Sequence, residues 1–291
     1  MKDIYDIDSV MAGIVTFEPE IERLRQNIEK LSEQVNYLLI VDNGSTNKKD
    51  IKELCKKIEG IHIDVFYYEY NMGIAKALKH IMDSAKEKGF KWVLTLDQDS
   101  VIENGLVEQY LKAANEEKNQ DVGMITCLIK DRNFEDKKYE FQKEWEKTIP
   151  YCITSAAFTN VVRYDKTSGY DEKFFIDCVD FDICFLLREA GYRIIRINYL
   201  GLIHEVGHGE NKIFLWKKIV VYHQKPLRIY YLSRNTVWMW KKHKKQYSFI
   251  VMLKKQVALV VRIILYEDNK KEKLKNYLEG IKDSARYEQE N

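Results

Sequence analysis

Apolar and polar positions alternate between two patterns along the first hundred residues. Short runs, "MAGIVTF" (11–17), "YLLIVDNGS" (37–45), "IDVFYYEY" (63–70) and "KWVLTLDQDS" (91–100), read as strands, the first and the last of them buried. Between them lie amphipathic stretches. "EIERLRQNIEKLSEQV" (20–35) puts Ile21, Leu24, Ile28 and Leu31 at helical spacing, and "KKDIKELCKKIEG" (48–60) ends on a glycine stop. A third helix is predicted from after "NMG" to about Lys88. The order β-α-β-α-β-α-β predicts an α/β fold, a mostly parallel sheet with helices on both faces. Ligands of such sheets sit outside the carboxyl ends of the strands.

Four of those ends carry polar or small residues: Thr16-Phe17, Asp42-Asn43-Gly44, Asn71-Met72-Gly73 and Asp97-Gln98-Asp99. Turn chemistry alone explains any one of them, since Asx and Gly residues start turns. Four at one edge of a sheet favour a site. Asp97 and Asp99 are the most demanding pair, because two carboxylates at the end of a buried strand are costly without a positive partner. A hard divalent cation, Mg2+ or Mn2+, is held by one or two carboxylates plus substrate phosphates. It would neutralise a diphosphate leaving group. The alternative for this pair is a helix N-cap beside an exposed acid.

A second acidic cluster occurs in "GYDEKFFIDCVDFDICFLLREAGYRI" (169–194), read as a turn, an apolar stretch and a helix stopping at Gly191. Asp177, Asp180 and Asp182 fall in the loop and the first helical turn, where the helix dipole favours acids. A carboxylate in such a cluster can also serve as a general base that takes a hydroxyl proton. Downstream, "NYLGLIHEVGHGE" (198–210) follows a strand-like "YRIIRIN" and offers His204 as a third metal ligand or a diphosphate contact.

"VTFEP", "LLIVDNGST", "NMGIAKALKH", "WVLTLDQDS" and "FFIDCVDFDICFLLREAGYRI" resemble, in order, the motifs of family-2 glycosyltransferases, over roughly residues 10 to 235. The resemblance implies an inverting enzyme of the GT-A fold, Rossmann-like, with a C-terminal helical extension. It implies domains at 1–210 (catalytic) and 211–291 (extension). By the same resemblance, Thr16, Phe17 and Asp42 form the nucleoside pocket, and Asn71 and Gly73 form the turn that approaches the donor. Asp97 and Asp99 hold the metal and diphosphate. The family's base belongs to a Glu-Asp-x-Asp run; the matching residues are Val179-Asp180-Phe181-Asp182, with Val in place of Glu. Asp180 takes the position of the base, and Asp177 and Asp182 orient the acceptor or the base. The branch it resembles includes bacterial rhamnosyltransferases. That implies a dTDP-rhamnose donor, with a UDP-hexose or UDP-galactofuranose as alternatives, and a saccharide acceptor, lipid-linked in cell-surface polysaccharide assembly.

Charge changes the picture at the C-terminal end. The net charge is +2, yet Lys212 to Tyr266 holds 13 Lys/Arg and no acid, leaving the rest at a net −11. Ten aromatics lie in the same stretch. "WMWKKHKKQYSFIVMLKKQVALVVRIILY" (238–266) has the composition of a helix on an anionic membrane surface. Trp238 and Trp240 point about 200° apart on one helix, so at least one packs against protein. A homodimer contact is the alternative; nucleic acid ranks below both, because no nucleic-acid motif accompanies the charge. "DNKKEKLKNYLEGIKDSARYEQEN" (268–291) reads as a charged, frayed helix and tail. Five cysteines without metal spacing indicate reduced thiols. With no signal-like N-terminus and no apolar run of the ~20 residues needed to span a bilayer, the expectation is a cytoplasmic enzyme peripheral on the inner face of the membrane. Two other classes compete: a haloacid-dehalogenase-type phosphatase with Asp97 as nucleophile in "DQDSV", and a non-enzymatic membrane-surface scaffold.

Overall fold

In the computed structural model, residues 4–131, 144–204, 210–214 and 217–287 are described. The chain divides into two compact units: residues 1–173 with 183–205, and residues 174–182 with 206–291. The expected boundary at 210 lies near the last break, at 205/206, but the second unit also claims the segment that carries Asp177, Asp180 and Asp182.

The first unit opens as the apolar runs predict. The strands are β1 (Val10–Thr16), β2 (Tyr37–Asp42), β3 (His62–Tyr67) and β4 (Trp92–Asp97), and the helices between them are α1 (Ile21–Ser32), α2 (Lys48–Lys57) and α3 (Ile74–Glu87). The four strands lie in the order β3-β2-β1-β4 and are all parallel. Leu24, Ile28 and Leu31 of α1 are fully buried, and on β4 Trp92, Val93 and Leu94 are too. At ~25 cal/mol per Å2 of apolar surface, each such side chain contributes about 1.5–3 kcal/mol.

Beyond β4 the sheet becomes mixed. β5 (Val101–Ile102), α4 (Leu106–Asn115), β6 (Val122–Asp131), β7 (Glu146–Thr148), β8 (Ala157–Asn160), α5 (Val161–Tyr164), α6 (Val179–Glu189) and β9 (Arg193–His204) follow. β8 is antiparallel to both β4 and β6, whereas β6 and β9 are parallel. The prediction of parallel pairing thus applies to β1 to β4 and to the β6–β9 pair, and β8 breaks it between them. Phe158 of β8 stacks on Trp92 with ring centroids 4.7 Å apart, which locks this junction in the core.

The second unit contains the hairpin β10 (Glu210–Phe214) and β11 (Lys217–Val221), then α7 (Pro226–Lys242), α8 (Phe249–Tyr266) and α9 (Lys270–Asp283). The run 238–266 is two helices. α7 starts with Pro226 in its first turn, where the missing N–H costs nothing. α8 restarts at Ser248, whose hydroxyl accepts from the Val251 amide. α9 is docked, in contrast to the frayed helix expected. Its Gly280 lies so close to α7 that an added Cβ would be 2.4 Å from the Tyr230 carbonyl oxygen. Trp238 is buried, packs on Phe174, and donates from Nε1 to the Ser284 carbonyl at 3.2 Å. Trp240 is half-buried against Phe249. No described helix is long and apolar enough to cross a membrane.

Candidate active site

Parallel register decides where the polar strand ends fall. Thr16 of β1 is level with Asp42 of β2, Asp42 is level with Tyr67 of β3, and Val15 is level with Asp97 of β4. The four ends therefore line one edge of the sheet. Asp42 is fully buried, and its carboxylate accepts from Thr16 Oγ1 (3.0 Å), the Ser45 amide (3.0 Å) and the Ser45 hydroxyl. Three donors satisfy the charge that burial would otherwise penalise. Asp42 thus shapes the loop after β2.

That loop is joined to the next. The Asn43 side chain donates to Asn71 Oδ1 at 3.0 Å and accepts from the Met72 amide at 2.8 Å. Asn71 in turn accepts from the Gly73 amide at 2.9 Å. Gly44 (φ +86°) and Gly73 (φ +86°) take left-handed backbone that a side chain would strain. An added Cβ at Gly44 would stand 2.6 Å from the Tyr70 Cα, so the two loops approach closely there.

Phe17 is exposed, and its amide donates to Gln98 Oε1 at 2.8 Å, tying the end of β1 to the Asp97–Asp99 turn. Asn27 of α1 donates to the Asp97 carbonyl at 2.9 Å, and Ser155 donates to Ser100 at 2.7 Å beneath the turn. Asp97 and Asp99 are half-buried and present hard carboxylate oxygens, a donor set that suits Mg2+ or Mn2+ completed by phosphate oxygens. Among the described residues, the three-ligand cluster is elsewhere, at His223, Glu267 and Asp268. There Lys273, itself buried, reaches Glu267 at 2.7 Å and also contacts Asp268, so a protein cation already balances those acids.

The acidic segment in the second unit is held by α7. Arg228 grips Asp177 through Nη2 (3.0 Å) and Nε (3.2 Å). Burial pushes the Asp177 carboxyl above its ordinary range, and the Arg228 guanidinium draws it back. Asn235 Nδ2 points at three carbonyls of the same loop: Phe174 (2.8 Å), Ile176 (2.7 Å) and Asp177 (3.1 Å). The loop needs such support, because Phe175, Asp177 and Cys178 all have positive φ (60°, 65° and 66°) without being glycine. Each costs on the order of 1 kcal/mol. Asp180 begins α6 half-buried. Asp182 is buried and accepts from Lys242 Nζ at 2.9 Å, with His243 Nε2 2.7 Å away, so it joins α6 to the end of α7. His204 closes β9, but its side chain lies outside the described residues.

The sequence places Asn43 and Gln98 at strand ends without giving them a role, and does not single out Ser45, Arg228 or Asn235. "DNGST" sits in a quoted motif, but each of these side chains acts on residues 28 to 81 positions away or inside a local turn. Spacing along the chain carries no signal for such bonds. Nearby, Arg234 lies over the Trp238 ring at 3.9 Å and the Tyr231 ring at 4.8 Å, a buried cation–π stack beside Asn235.

Known proteins share this arrangement. The family model for glycosyl transferase family 2 matches residues 13–179. The dTDP-rhamnosyl transferase RfbF of Shigella flexneri is 26% identical over 292 residues, 96% of each chain. The rhamnosyltransferase WbbL of Escherichia coli (strain K12) is 19% identical over 250 residues, 76% of this chain and 90% of that one. A crystal structure of GalNAc-T7 with UDP, GalNAc and Mn2+ superposes with TM-score 0.56 at 12% identity, covering 95% of this chain and 56% of that one, a likeness of fold. With the matched segment spanning more than half the chain and holding the whole strand-end edge, this protein belongs to glycosyl transferase family 2 and is a nucleotide-sugar glycosyltransferase of the GT-A type.

Proposed function

We propose that this enzyme transfers rhamnose from dTDP-rhamnose, with inversion, to a hydroxyl of a lipid-linked saccharide in cell-surface polysaccharide assembly. Similarity to a dTDP-rhamnosyl transferase along 96% of both chains supports the donor. The observation that carries the reading is the aligned edge, with Thr16 level with Asp42 and Asp97 one strand over. In this reading Thr16, Phe17 and Asp42 bound the nucleoside, and the Asn71–Gly73 turn lies against the donor. Asp97 and Asp99 would hold Mg2+ or Mn2+, with His204 as a third contact; when bound, the ion supplies positive charge to the departing diphosphate.

Asp180 removes the acceptor hydroxyl proton as that oxygen attacks the anomeric carbon. The new C–O bond forms on the face opposite the breaking bond to the diphosphate, which inverts the centre. Asp177 and Asp182 act on the base through the loop and the helix start that they hold. The test is a panel of nucleotide sugars assayed for donor hydrolysis with and without Mn2+ or Mg2+. dTDP-rhamnose should be the preferred donor and the metal should be required. Asp99→Asn should lose metal-dependent donor binding. Asp180→Asn should lower kcat by at least about 10²-fold with donor affinity kept. Preference for a UDP-hexose would overturn the donor, and equal nucleotide affinity with and without metal would overturn the roles of Asp97 and Asp99.

A further inference from the structure

α8 is apolar almost all the way round. Its buried side chains, Met252, Gln256 and Ile263, occupy one stripe; at about 100° per residue that stripe is only about 40° wide. The neighbouring arc, centred about 110° away, carries Ile250, Leu253, Val257 and Ile264, three, four and seven residues apart, so they share a face. They are 63%, 48%, 55% and 49% exposed. Contiguous apolar surface of this kind marks an interaction site on a soluble protein.

The charges say what covers it. Lys254 and Lys255 on α8, and Lys244 and Lys245 in the loop before it, are exposed. No Asp or Glu occurs anywhere from Lys212 to Tyr266. A second copy of the chain docked on this face would bring Lys254, about 70° from the centre of the face, toward the same cation of the other helix, with no acid on either helix to offset it. An anionic lipid surface meets both demands at once, with headgroups for the lysines and acyl chains for the stripe.

We propose that the Ile250–Leu253–Val257–Ile264 face of α8 lies in the interface of a bilayer containing anionic lipid. This deepens the proposed function by naming the surface that would bring the enzyme to a lipid-linked acceptor. Its test does not pass through the transfer reaction, so failure of either reading leaves the other standing.

The full chain is sedimented with vesicles of phosphatidylcholine alone or mixed with phosphatidylglycerol. Binding is expected on the mixed vesicles only. It should weaken as salt is raised toward 1 M, where the screening length falls to about 3 Å. The triple variant Leu253→Ser, Val257→Ser, Ile264→Ser should bind at least about tenfold more weakly, with its thermal midpoint and nucleotide binding unchanged. Lys244→Gln, Lys245→Gln and Lys254→Gln together should do the same. Trp240 has its ring 5.3 Å from that of Phe249 at the start of α8. Brominated lipid should quench its fluorescence, and Trp240→Phe should remove that signal. Equal binding to neutral vesicles, no binding, or wild-type binding by the serine variant overturns the proposal. A dimer that the serine variant dissociates, in a protein that ignores vesicles, assigns the face to a second copy.

Discussion

Asp177 sets two opposing forces against each other at one carboxyl. Burial raises its pKa, and the Arg228 guanidinium lowers it. Arg228→Ala removes the second influence and leaves the first. The expected cost is about 1–3 kcal/mol for the stranded charge, and its pH dependence has a definite sign. A folded-state pKa above the unfolded one means the folded state holds more protons in that window, so stability falls as pH rises through it. The variant should therefore match the wild type below the ordinary carboxyl value of 3.8. Its deficit should open as pH climbs through the raised value. Urea melts at several pH values check this; a deficit independent of pH, or one that persists in an Asp177→Asn background, would place the loss outside this pair.

The elements show where the sequence could be read and where it could not. Continuous apolar runs such as Leu38 to Val41 announce strands covered on both faces, so β1, β2 and β4 and their shared edge were legible, Asp42 and Asp97 included, while β3 is the half-covered edge strand. The antiparallel entry of β8 was not, since "AAFT" pairs with residues some 60 positions away. The break between α7 and α8 was hidden because the apolar and basic pattern runs through it. The docking of α9 was hidden because charge along 268–291 looked like solvation, whereas the deciding residue is Gly280. That residue gives a test with competing magnitudes. Gly280→Ala gains about 1 kcal/mol of helix propensity, but its Cβ meets a backbone carbonyl, and overpacking costs about 1–3 kcal/mol. Net destabilisation is expected in thermal melts, and a gain in stability would mean the α7–α9 contact is looser than described.

For the whole molecule, the residues proposed to meet the donor, Thr16, Asp42, Asn71, Asp97 and Asp99, all belong to the first unit. Nucleotide binding should therefore be felt there first. A nucleoside diphosphate with Mn2+ at a hundredfold over its Kd adds about 2.7 kcal/mol to the state that binds it. In hydrogen exchange, slowing should be concentrated at the ends of β1, β2 and β4; equal slowing along α7 to α9 would contradict that assignment. The path of the chain adds a constraint of another kind. It passes between the units at 173/174, 182/183 and 205/206, so the second unit is not a terminal appendage. The short excursion at 174–182 carries Asp180, and the side chains that hold it in shape, Arg228 and Asn235, come some fifty residues later. Cutting the gene before residue 206 would leave the nucleotide side intact but strip the proposed base's loop of its clamp. Exchanging C-terminal arms between relatives would do the same unless residues 174–182 travelled with them. This enzyme is thus poorly suited to modular shuffling, and acceptor preference should change by point substitution within α7 and its loop rather than by recombination of domains.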